Sequence, residues 1–240
     1  MRPHRTEAII LHTYPARERD KLVVFLTPDF GKRKGYAYGA RSMKSRFGAS
    51  LEPMAKVQIG FVERESDEVT RIESIDLLRS LFPAQQNLAA SVAATYIAET
   101  VDTFAQPSDP SELIYRLLDR SSEALLAGVR PLAVVAYCEI WMLRLSGILP
   151  SRENCIECGA PLPRPLRFSA RVAGFVCELH GGDVIPNEVT ESLQTLLRTP
   201  VAEFDAPSAI LFELRSLAAT VRRHFLGHEL KSFEVLATVL

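Results

Sequence analysis

Four residues in this chain have the types and spacing to hold a metal ion: Cys155, Cys158, Cys177 and His180. Cys155-Ile156-Glu157-Cys158-Gly159 reads as a C-x2-C-G turn. Eighteen residues then intervene before Cys177-Glu178-Leu179-His180-Gly181-Gly182, a C-x2-H-G-G turn. Such turns fold backbone amides around the sulfurs and bring two donors onto one ion, and zinc prefers four such donors in a tetrahedron. Glycine after the second ligand relieves the left-handed backbone these turns often need. Four protein ligands leave no open position, so the spacing predicts a closed, structural zinc site.

A second pattern points to polyanions. Between Asp29 and Glu52 there is no acidic residue, while Lys32, Arg33, Lys34, Arg41, Lys44 and Arg46 are interleaved with Tyr36, Tyr38 and Phe47. Cations neutralise phosphates and release counterions, and aromatic faces stack on unpaired bases. The charge balance agrees. Residues 1–80 hold 15 Lys/Arg against 11 Asp/Glu, and residues 81–240 hold 13 against 18. One module is built to meet a polyanion and the other is not.

Catalytic patterns are absent. His224 and His228 lie i, i+4, but Phe225-Leu226-Gly227 between them is not the H-E-x-x-H of a zinc protease. No P-loop or G-x-S-x-G elbow occurs. Cys138 sits in an apolar helical pattern beside Trp141 and Met142, which reads as core, and Glu63, Glu65, Asp67 and Glu68 read as a solvated turn. The expectation is a protein that is not an enzyme. The apolar stretch Ala8–Leu11 is too short for a signal peptide and no long apolar run follows, so a cytoplasmic protein without membrane contact is expected.

The elements that must carry these residues change period along the chain. Glu7–Tyr14, Lys21–Thr27, Lys32–Gly39, Lys56–Arg64 and Val69–Leu78 read as five strands. That is the size of a small barrel, an OB-fold or an SH3-like one. After Pro83 the apolar period becomes helical, with helices expected over Asn87–Phe104, Ser111–Ala127 and Leu132–Ser146. A Pro- and Gly-rich segment at 151–186 holds the metal motif, with a hairpin of Leu166–Phe168 and Gly174–Val176. Helices resume at Asn187, at Pro207–Leu226 and at Glu229–Leu240. The fold class is therefore α+β. The expected division is 1–80 barrel, 81–150 helical, 151–186 zinc-binding insertion and 187–240 helical.

Four motifs in this order resemble the RecO family of bacterial recombination mediators. They are TEAIILHTYPARERDKLVVFLTPDFGK, GARSMKSRFGASLEP, the C-x2-C-G knuckle, and the ending HFLGHELKSFEVL. The resemblance spans nearly the whole chain. It implies an OB barrel, a helical body and a zinc-binding insertion. It also implies binding to single- and double-stranded DNA, annealing of complementary strands, contact with single-stranded-DNA-binding protein, and loading of RecA together with RecR. The alternative is a zinc-ribbon transcription or translation factor with an OB domain, which should lack the ending around Leu226–Ser232.

Overall fold

The computed structural model describes residues 2–42, 47–63 and 69–240. Lys44 and Arg46 lie outside the described residues, as do Glu65, Asp67 and Glu68.

Five strands close the N-terminal barrel: β1 (Arg2–Pro15), β2 (Lys21–Thr27), β3 (Gly31–Ala37), β4 (Lys56–Glu63) and β5 (Thr70–Arg79), in the order β1-β2-β3-β5-β4. The β3–β5 pairing is parallel and the others antiparallel, the arrangement of an OB-fold. β1 starts five residues earlier than its apolar alternation suggests, at Arg2 rather than Glu7. One strand serves two partners there: Arg2–Ile9 pairs with β4 and Ile9–Pro15 pairs with β2, with an irregularity between Ile10 and His12. Pairing to β4, not side-chain pattern, makes the polar start extended.

The run KLVVFLT lacks alternation because both of its faces are buried. Val23 and Phe25 point into the barrel with Ala8, Ile10, Val57 and Ile59. Val24 and Leu26 point outward with Ile9 and Leu11 and pack on the helices.

Helices follow: α1 (Phe82–Gln85), α2 (Leu88–Phe104), α3 (Glu112–Leu126), α4 (Pro131–Leu145), α5 (Asn187–Leu196), α6 (Ser208–Leu226) and α7 (Phe233–Val239). Asn87 and Ser111 cap α2 and α3 by accepting from Ala90 and Ile114 amides, and Pro131 opens α4. Between α4 and α5 lies a small sheet of β6 (Arg167–Ser169), β7 (Gly174–Val176) and a third strand not expected from the sequence, β8 (Asp183–Val184). Leu166, Phe168 and Phe175 from this segment join the same core as the helices.

The barrel is tied to the body by ion pairs as well as apolar contact. Lys56 reaches Asp119 on α3 at 3.0 Å, and Arg79 reaches Glu123 at 2.9 Å. Gly31 (φ +66°) marks the tightest approach: a Cβ there would stand 2.2 Å from the Asp109 carbonyl oxygen. Only glycine fits both that backbone and that gap.

The last helix starts at Phe233, not Glu229. Gly227 takes a left-handed turn (φ +76°) that ends α6, and buried Leu230 anchors the connection. Glu99 on α2 then caps α7, accepting from the Lys231 and Ser232 amides at 2.9 and 2.8 Å and from the Ser232 hydroxyl. Burial alone would raise the Glu99 carboxyl. The three Ser232 and Lys231 donors, helped by His12, outweigh it and hold the group below its ordinary value. A depressed carboxyl stabilises the fold above its unfolded pKa, near about 4.3, and loses that contribution as pH falls through the lower folded value. Glu99→Gln should therefore cost about 1 kcal/mol at pH 7. The gap to the wild type should start to narrow as pH falls below about 4.3 and close once pH has fallen through the lower folded value, measured as urea midpoints at pH 7 and across the acid range.

Candidate metal centre and nucleic-acid interface

Cys155, Cys158, Cys177 and His180 converge, with all four ligand atoms within 4.8 Å of one another. The Gly159 amide donates to the Cys155 carbonyl at 2.8 Å, with Gly159 at φ +72°, closing the first turn. A single 3-10 turn, Glu178–His180, swings the imidazole back toward Cys177. The two turns are pinned by the Ile156 amide donating to the Phe175 carbonyl at 3.0 Å. Cys155 is buried and Cys158 exposed.

Two of the donor spacings match the edges of a tetrahedral site. Zn–S near 2.3 Å and Zn–N near 2.0 Å give tetrahedral edges of about 3.5–3.8 Å. The Cys158–Cys177 sulfurs are 3.8 Å apart, and His180 Nδ1 lies 3.6 Å from the Cys155 sulfur and 3.1 Å from that of Cys177. Two of the thiols, Cys155 and Cys177, are shifted toward the thiolate, whereas the neighbouring thiols hold Cys158 above its ordinary value. Burial pushes the Cys155 thiol up, but the Cys177, Cys158 and Glu157 amides donating to it bring it down to about 6. The imidazole of His180 lowers Cys177 and is itself raised by it. These residues could hold a metal with no open coordination position. Cys138, the remaining cysteine, is buried in α4, and burial pushes its thiol up to about 12.

The acid-free stretch divides between two environments. Lys32 is largely buried, its Nζ 3.0 Å from Asp102 on α2. Arg33 lies 2.7 Å from Glu63 and also donates to Ser108 at 2.8 Å. Both charges are matched within the molecule. Lys34 and Arg41 remain exposed. The Arg41 amide donates to the Arg19 carbonyl at 3.0 Å and its guanidinium to the Arg17 carbonyl at 3.2 Å, which draws exposed Arg17 and Arg19 to the same corner.

Register sets the aromatic row. Tyr14 faces Leu22, Leu22 faces Tyr36, and Tyr36 faces Arg71 on β5. Tyr38 continues the row 6.2 Å from Tyr36, with the Arg71 guanidinium 5.7 Å over its ring. Tyr14 and Tyr38 are 47% and 43% exposed, which is high for large rings outside any core. Arg71 and Tyr14 escaped the sequence reading, because only the parallel β3–β5 pairing and the β1–β2 register bring them to Tyr36 and Tyr38.

Fold and centre together define a class: an OB-type barrel with an exposed aromatic and cationic row, built onto a helical body that holds a four-ligand knuckle. The family model for the N-terminal part of recombination protein O matches residues 1–81, and that for its C-terminal part matches residues 85–234. The chain is 38% identical over 176 residues to the DNA repair protein RecO of Koribacter versatilis, covering 72% of this chain and 70% of that one. It is 30% identical to the DNA repair protein RecO of Syntrophus aciditrophicus over 97% of this chain and 95% of the relative. The chain belongs to the RecO family of DNA repair proteins. Among the described residues no helix is long and apolar enough to cross a membrane.

Proposed function

We propose that this chain is a recombination mediator without enzymatic activity, which binds single- and double-stranded DNA and anneals complementary strands. With RecR it helps load RecA onto DNA covered by single-stranded-DNA-binding protein. The observation carrying the DNA-binding part is the outer row Tyr14, Tyr36, Tyr38 and Arg71, flanked by exposed Lys34 and Arg41. Bases of an unpaired strand stack on the rings while the cations neutralise its phosphates. Lys44 and Arg46, in the same acid-free stretch, add to that charge. Lys32 and Arg33 act one step removed: their pairs with Asp102 and Glu63 fix β3 against the body. Neutralised strands repel each other less, which favours pairing.

Zinc is the metal we assign to the knuckle. Cys155, Cys158, Cys177 and His180 would hold it, and it would cross-link the two turns.

Two variants separate the components of the surface. Lys34→Glu/Arg71→Glu should weaken binding of a labelled single strand at least tenfold and flatten its salt dependence. Tyr36→Ala/Tyr38→Ala should lose about 1–3 kcal/mol per stacked base while keeping the salt slope. Fluorescence anisotropy across a salt series measures both. Unchanged affinity in both variants would remove DNA from this face, and cleavage of DNA by the pure protein with magnesium would replace the mediator reading with a nuclease.

A further inference from the structure

Residues 81–240 are acidic overall, with 13 Lys/Arg against 18 Asp/Glu. One concavity runs against that balance. It measures about 440 Å³, and Arg144, Arg152 and Arg164 line it together with Ser151, Glu153 and Gln194. Three separate pieces of chain converge there: the run from the last turn of α4 into the knuckle segment, Arg164 further along that segment, and the end of α5. Arg198, just past α5, adds its field to the same point.

These arginines have no carboxylate partner, whereas most others of the body do. Arg120, Arg130, Arg215 and Arg222 each pair with an acid. Among the described residues, Arg144, Arg152, Arg164 and Arg198 form no ion pair. Arg164 donates only to the Thr190 hydroxyl at 3.3 Å, and Arg144 lies 4.9 Å over the Trp141 ring. Arg152 is the innermost. Its guanidinium is pushed below its ordinary value by burial and then by Arg164, Arg144 and Arg198, with Glu153 opposing weakly. Arg152 is half-buried and Arg144, Arg164 and Arg198 are exposed; like charges gathered around it raise one another's energy, and an anion seated among them relieves that cost.

We propose that this pocket binds the phosphodiester backbone of a second nucleic-acid strand. Guanidinium forks match phosphate oxygens, and the Ser151 hydroxyl and Gln194 amide supply the neutral donors that accompany arginine at phosphates. No aromatic ring lines the pocket, so it holds backbone and reads no bases. A strand on the barrel row and a second one here give a single molecule two strands to bring together. That consequence rests on the annealing reading above, whereas occupancy of the pocket by a phosphate backbone does not.

Trp141, the chain's single tryptophan, lies under Arg144 and serves as a local probe. The titrants are an abasic deoxyribose-phosphate oligomer and a polyglutamate peptide of equal charge, added to the full chain. The oligomer should change Trp141 fluorescence in the wild type and equally in Lys34→Glu/Arg71→Glu. Arg152→Gln/Arg164→Gln should weaken that response at least tenfold and lower the log–log salt slope by about 1.4, two contacts' worth on a single strand. Arg152→Lys/Arg164→Lys should keep most of the slope. Arg144→Gln changes an exposed side chain at a helix end and should still lose at least threefold, so the test does not depend on the double variant folding. An Arg144→Gln response equal to the wild type overturns the proposal. So does tighter binding of polyglutamate than of the oligomer, which would give the pocket to an acidic protein. Failure of the barrel reading looks different: the affinity for labelled single-stranded DNA is unchanged in Lys34→Glu/Arg71→Glu, whatever Trp141 reports.

Discussion

Arg222→Ala should destabilise the protein by about 3–5 kcal/mol, because it leaves a buried charge without its main partner. Arg222 is 2% exposed and Glu139 3%, so neither reaches water. The Arg222 guanidinium lies 3.0 Å from Glu139 on α4, whose other oxygen is 3.3 Å from the Arg215 guanidinium. The Tyr96 hydroxyl donates to Glu139 and accepts from Arg222. Burial, then the charge of Glu139, holds the Tyr96 hydroxyl well above its ordinary value, so it remains a donor. Arg222 also pairs with Glu229 in the connection to α7, and stacks 5.6 Å from the Tyr96 ring and 5.2 Å from that of Phe233. One side chain thus joins α2, α4, α6 and the C-terminal ending. At about 2–4 °C per kcal/mol for a chain of this size, the melting temperature should fall by roughly 6–20 °C. Arg222→Met/Glu139→Gln should lose less than the sum of its two single variants, since each single variant already breaks the same Arg222–Glu139 pair, although Arg215 then loses its carboxylate. An Arg222→Ala protein melting within 2 °C of the wild type would show that the network contributes nothing.

What the sequence discloses depends on how local the cause is. The Cys155, Cys158, Cys177 and His180 cluster was legible because each turn carries two of its members with two residues between them, and short-range geometry decides where they point. Strand and helix positions were legible from period, with errors where a distant partner decides, as at the start of β1 and the start of α7. Which charges are free was not legible. Lys32, Arg33 and Lys34 are adjacent and alike in type, yet only Lys34 is left to solvent, because α2 supplies Asp102 and β4 supplies Glu63. Arg222 and Arg223 are neighbours too, and only the former is buried. The cationic pocket has no linear signature at all, since its arginines come from positions 144, 152, 164 and 198.

Removing the metal should separate stability from DNA binding. A structural ion contributes folding free energy directly, and isolated zinc fingers depend on theirs almost entirely. Here the knuckle segment is also anchored by Leu166, Phe168 and Phe175 in the main core, so the loss should be partial. Purified protein should contain one zinc per chain, read by mass spectrometry under native conditions. Stripping it with a strong chelator, or making Cys158→Ser, should lower the melting temperature by roughly 10 °C, a few kcal/mol at this chain length. Amide exchange should rise across Cys155–His180, because the Ile156–Phe175 hydrogen bond joins two turns that would no longer share an ion. Below the shifted melting point, single-strand affinity should stay within about threefold of the wild type, since Tyr36, Tyr38 and Arg71 belong to the barrel and none of the four ligands does. A tenfold loss of affinity at a temperature where the stripped protein remains folded would show that the strand depends on the knuckle segment, through its turns or through the Arg152–Arg164 pocket. A chelator-resistant melting curve with no metal in the protein would show that the cysteines pack without an ion.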